Sequence, residues 1–157
     1  MLQRPAVSSA ALDAIAVEIG GVGLSLQHRW PILGNHDANV VSCAITRLPP
    51  QDRRGGLEIS YWDARRPIDE LVARAHGEWE ASLIGLIVNV PRRSAFSLFL
   101  MPGRHWYAIR RATSTRWVDL DSLRERPELL EDGQLCARLR AEVEKGAHVL
   151  VVRSDEK

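Results

Sequence analysis

The apolar period of this chain changes at Leu57 from helical to mainly that of strands, and this change limits the folds open to it. Before Leu57 apolar residues recur at helical spacing; after it they alternate or run continuously, as strands require. Ala10–Ile19, preceded by Ser8-Ser9 and closed by Gly20-Gly21, is predicted as a first helix. A glycine-containing linker leads to Trp30-Pro31, and Ala38–Leu48 is predicted as a second helix, with Asn35 or Asp37 as its cap and Pro49-Pro50 at its end. Gln51–Gly56 reads as a polar turn. Strands are expected at Leu57–Asp63, Leu83–Val90, His105–Ala112, Arg116–Ser122 and His148–Arg153. A short helix at Pro67–Arg74, with proline in its first turn, separates the first two strands. Helical structure at Pro127-Glu128 and Gln134–Lys145, ended by Gly146, precedes the last strand. N-terminal helices followed by a mostly antiparallel sheet with helical insertions make an α+β fold.

A length of 157 residues suits one domain spanning 1–157, with a core that needs neither metal nor disulfide staples. The net charge of +1, with both signs interspersed, lacks the field that holds a phosphate backbone, so no nucleic-acid partner is expected. Leu83–Val90 falls far below the ~18 apolar residues of a membrane span and reads as a buried central strand. The two cysteines, Cys43 and Cys136, and the absence of a long apolar block after a basic start in the first 23 residues point to a reducing compartment, the cytoplasm or nucleus. Both cysteines fall on predicted helices and are expected to be packed core residues. His28, His36, His76 and His148 are scattered without a paired ligand spacing, so neither metal nor cofactor is expected.

The residues that carry chemistry stand on the third and fourth strands. His105 opens the run His105-Trp106-Tyr107-Ala108-Ile109-Arg110, and Arg116–Ser122 returns after the turn-like Thr113-Ser114-Thr115. Strand alternation puts Asp119 and Asp121 on one face, with Leu120 on the other, so either carboxylate is placed to approach His105 across the pair. An imidazole beside a carboxylate is the orienting half of a relay: the acid sets the ring's tautomer, and the ring takes a proton from a nucleophile. Trp106, beside His105, is a candidate wall of the substrate cleft.

Five stretches in succession resemble the Josephin family of papain-like cysteine proteases, which cleave ubiquitin from conjugated proteins. They are Gly34–Val40, Leu83–Pro91, His105-Trp106, Asp119–Ser122 and Pro127-Glu128-Leu129. The resemblance implies a papain-like fold, ubiquitin or ubiquitinated proteins as partner, His105 as the catalytic base and Asp121 as its orienting acid. Family members begin with a glutamine of the oxyanion hole and a nucleophilic cysteine in a Cys-x-x-His segment that runs through Asn-Asn into Leu-Gln. Met1-Leu2-Gln3 resembles the tail of that segment, so the chain is expected to be N-terminally truncated relative to the family and to lack the nucleophile. A thiol-dependent deubiquitinase that is inactive in this form is the first expectation, and a non-catalytic ubiquitin-binding module is the alternative.

Overall fold

A computed structural model describes residues 14–15, 18, 29–30, 35–36, 40, 43–44, 47, 56–92 and 103–154. The chain separates into two compact units, residues 1–57 and 58–157. In the first, Ala14, Ile15 and Glu18 are helical, as are Val40, Cys43 and Ala44, and Arg47 lies in a turn. The remainder of the two predicted N-terminal helices lies outside the described residues. Ile15, Val40 and Ala44 are buried together, with Cys43 packed on them. A two-stranded antiparallel pair, β1 (Arg29–Trp30) and β2 (Asn35–His36), replaces what the sequence reads as linker and helix cap. Asn35 pairs with Trp30 in this ladder; Asp37, the other candidate cap, and the start of the second helix lie outside the described residues.

The larger unit carries a mostly antiparallel sheet and two helices. Its strands are β3 (Leu57–Tyr61), β4 (Leu83–Arg92), β5 (Gly103–Arg111), β6 (Arg116–Asp119), β7 (Glu128–Glu131) and β8 (His148–Ser154), in the order β3-β8-β4-β5-β6-β7. The helices are α1 (Ile68–His76) and α2 (Asp132–Glu144). Pro67 is the N-cap of α1, one position before the first turn in which the sequence places it. The apolar run of β4 takes an interior position because both its edges are used, pairing antiparallel with β5 on one side and β8 on the other.

One sheet face forms the main core. Leu86, Val88, Tyr107, Ile109, Trp117, Leu130, Val149 and Val151 alternate onto it and join Ile68, Leu71, Val72 and Ala75 of α1 and Leu135, Cys136 and Leu139 of α2 in one buried cluster. The spacing of the α1 set, i, i+3, i+4 and i+7, is one helical stripe. Among the described residues, no helix is long and apolar enough to cross a membrane.

Besides shifts of one or two residues at the ends of β3, β4, β5 and β8, two differences from the sequence reading bear on the site. Glu128–Glu131 is a strand where Pro127-Glu128 suggests helix, because Leu130 gains a fully buried site opposite Trp117 across the β6–β7 ladder. β6 stops at Asp119 rather than continuing to Ser122, for reasons given below.

Gly85 is the position where the backbone tolerates least. It sits beside a register irregularity in β4, and a Cβ there would lie 2.4 Å from the carbonyl oxygen of Ile109 on β5. The obstructing atom is backbone, so relief requires the two strands to separate. Gly85→Ala is therefore expected to cost about 1–3 kcal/mol in chemical denaturation, the usual range for forced overpacking. An unchanged unfolding midpoint would show that β4 and β5 are not this closely apposed.

Candidate functional site

The β5–β6 ladder determines which acid meets the histidine. Ile109 pairs with Asp119, and the last ladder hydrogen bond runs from the Leu120 amide to the Ala108 carbonyl at 2.8 Å. Continuing that register would set Asp121 opposite Tyr107, one pair away from His105 and on the same sheet face. The chain instead leaves the ladder in two successive side-chain turns. The Asp121 amide donates to Asp119 Oδ1 at 2.9 Å, and the Leu123 amide donates to Asp121 Oδ1 at 2.9 Å. An Arg124 amide to Asp121 carbonyl bond at 3.0 Å closes the second turn.

This turn brings the Asp121 carboxylate to His105. His105 Nε2 lies 2.6 Å from Asp121 Oδ1, with the two side chains only 13% and 16% exposed. Burial alone raises the Asp121 carboxyl, but the Leu123 amide, the His105 hydrogen bond and the charges of His105 and Arg124 outweigh it and hold the group below the ordinary carboxylate range. Asp121 is thus ionised at neutral pH and can only accept, so Nε2 carries the hydrogen in the pair. That assigns Nδ1 of a neutral His105 as its proton-accepting nitrogen. Tyr107, two residues along the same strand face, stacks on the imidazole with ring centroids 6.0 Å apart and planes 20° from parallel. Burial, followed by the charges of Glu142 and Asp119, pushes the Tyr107 phenol up, so it remains neutral beside the pair.

The other sequence candidates fall elsewhere. Asp119 is 1% exposed and is held by arginines, not by His105. Trp106 pairs with Asn89 in the β4–β5 ladder and alternates to the sheet face opposite His105. Cys136 is buried in the main core, where burial first and then Asp69 and Asp132 push its thiol up, away from the thiolate form a nucleophile needs. Cys43 is half-buried and helical in the smaller unit. Among the described residues, no group of three or more His, Cys, Asp or Glu side chains is placed to hold a metal ion.

Three polar clusters escape sequence reasoning. Asp119 is bonded by Arg138 of α2, 19 residues away. His76 Nε2 lies 2.9 Å from Asp132 Oδ2, and the Trp117 indole donates to the other oxygen at 2.8 Å. The Arg104 guanidinium bonds the Asn89 side chain and, at 2.9 Å each, the carbonyls of Asn89 and Gly146. Only the first had a signal in the sequence: a carboxylate two residues after a core-facing Trp117 must itself face the core and needs a cation there.

The depressed Asp121 carboxyl fixes a pH dependence. A folded-state value below the unfolded one gives stability that is complete above about pH 5 and is lost as pH falls through the folded value. Asp121→Asn keeps an acceptor oxygen but cannot ionise. The stability gap between parent and variant, measured by denaturation from pH 7 to pH 3, is expected to hold steady down to about pH 5 and then close. A gap independent of pH would deny the carboxylate its charged role.

With this geometry in place, the comparisons with known proteins are specific. The Josephin family model matches residues 27–153. Josephin-2 of Homo sapiens is 32% identical over 162 aligned residues, covering 99% of this chain and 78% of that protein. Josephin-2 of Mus musculus is 31% identical over 135 residues, covering 84% of this chain and 64% of that protein. The matched span takes in the whole β4–β5–β6 ladder together with His105 and Asp121. The chain belongs to the Josephin family.

Proposed function

We propose that this chain carries the base and the orienting acid of a thiol-dependent deubiquitinase of papain-like design, acting on ubiquitin conjugates. The observation that carries the reading is the 2.6 Å contact between His105 Nε2 and Asp121, which leaves Nδ1 as the nitrogen able to accept a proton. In the reaction, Nδ1 of His105 takes the proton of a cysteine thiol, and the thiolate attacks the carbonyl carbon after ubiquitin's terminal Gly-Gly. Backbone or side-chain amides hold the resulting oxyanion. The C–N bond breaks as the imidazolium returns its proton to the leaving amine, giving a thioester. His105 then deprotonates a water, which attacks the thioester, releases ubiquitin with a free carboxylate and restores the thiol. Asp121 stays ionised throughout and stabilises the imidazolium at each charged stage.

Neither cysteine of this sequence fits the thiol in this reading, since burial disqualifies Cys136 and Cys43 stands well beyond the first turn of its predicted helix; a Cys-x-x-His stretch of the family's kind would supply it. The 157-residue chain is therefore expected to be inert on ubiquitin–fluorophore conjugates. A chain extended with the glutamine, the Cys-x-x-His stretch and Asn-Asn is expected to hydrolyse them and to lose at least about a thousandfold in rate on His105→Ala, because members of such a relay act as a unit. An extended chain that folds and binds ubiquitin yet stays inert would sink the enzymatic reading and leave a non-catalytic ubiquitin-binding module in its place.

A further inference from the structure

Asp119 is almost wholly withdrawn from water, at 1% exposure, a setting in which a carboxylate persists only with compensating charge and hydrogen bonds. Both are supplied on one oxygen. Arg138 Nη1 donates to Oδ2, and Arg124 Nε lies 3.3 Å from the same atom. The two arginines also converge on Glu128 Oε2, at 2.9 Å from Arg138 and 2.7 Å from Arg124, so their positions on Oδ2 are braced from the far side. Oδ1 is left to accept the Asp121 amide.

We propose that Asp119, clamped by Arg138 of α2, is a positioning residue for the His105–Asp121 pair. The proposal deepens the deubiquitinase reading and depends on it only for the consequence of the positioning. The physical reason lies in the ladder. If the strand ran on past Leu120, Asp121 would face Tyr107 and stand diagonal to His105, where such neighbours are roughly 7–8 Å apart. By capturing the Asp121 amide, Asp119 ends β6 and starts the turn in which the Asp121 carboxylate meets His105 at 2.6 Å. Arg138, on the helix that packs over the same sheet face, compensates the charge of that carboxylate at Oδ2 and leaves Oδ1 to the amide. Neither residue touches the imidazole. The line to the base runs from Asp119 Oδ1 through the Asp121 backbone to the Asp121 carboxylate.

The test separates positioning from general stability. Its readout is the low-field proton signal of a His105 Nε2–H bonded to carboxylate, recorded by NMR on the 157-residue chain. Asp119→Asn/Arg138→Met keeps an acceptor oxygen and leaves no unpaired buried charge; the signal is expected to remain. Asp119→Ala/Arg138→Met removes the acceptor, also without an unpaired charge; the signal is expected to be lost. Leu139→Ala, a core truncation on the same helix, is expected to lower the melting temperature and leave the signal in place. Persistence of the signal in Asp119→Ala/Arg138→Met, its loss in Asp119→Asn/Arg138→Met, or its loss in Leu139→Ala would each overturn the proposal. No ubiquitin conjugate enters the measurement, so an inert extended chain fails the enzymatic reading alone, and a wrong signal pattern here fails the positioning alone.

Discussion

The hydrogen-bonded register between β5 and β6 is the constraint on which the site depends. Pairing Ile109 with Asp119 sends His105, Tyr107, Asp119 and Asp121 to one face of the sheet and Trp106 and Leu120 to the other. A slip of β6 by one residue would turn its side chains over, burying Val118 and Leu120 and exposing Trp117 and Asp119. The register is held against such a slip by Trp117, which is fully buried opposite Leu130 and whose indole N–H is satisfied by Asp132 at the start of α2. A core contact thereby determines which carboxylate can meet the imidazole.

Charge then divides the two aspartates into separate tasks. Asp119 lies deeper, neutralised by two arginines, and shapes the backbone. Asp121 lies at the rim of the core with one oxygen shared between the Leu123 amide and His105, and there it selects the ring's tautomer. The two residues are two apart in sequence and chemically alike, yet one is wrapped by permanent cations and the other by an amide and an imidazole. Only the second environment leaves a group able to respond to a proton on His105. The His76–Asp132 contact is a useful contrast: the same pair of side chains sits about a third exposed between the end of α1 and the start of α2, where it ties two helix termini together.

Much of this was legible in the sequence, for physical reasons that differ by element. The long apolar run of β4 and the alternation of β5 are dominated by burial, which periodicity reports directly. Alternation set Asp119 and Asp121 together, with either able to approach His105, while the choice of Asp121 over Asp119 came from family resemblance. What escaped was set by partners distant in the chain. Glu128–Glu131 reads as the start of a helix until Leu130 finds Trp117 across the ladder. The two-residue strands at Arg29 and Asn35 are too short to show a period. The early end of β6 was written in the Asp119-Leu120-Asp121-Ser122 turn chemistry, but the alternation of the same residues spoke for a continuing strand and masked it. The reach of Arg138 to Asp119 depends on how α2 lies over the sheet, which no local pattern encodes.

The central claim is that Asp121 holds the Nε2–H of His105 and leaves Nδ1 as the proton acceptor. A long-range proton–nitrogen NMR spectrum of the 157-residue chain, taken at a pH where the ring is neutral, reads this directly from the two nitrogen shifts of His105. The account predicts a protonated Nε2 and an unprotonated Nδ1, with the assignment lost in Asp121→Ala. A ring found with its hydrogen on Nδ1, or unchanged when Asp121 is removed, would contradict it.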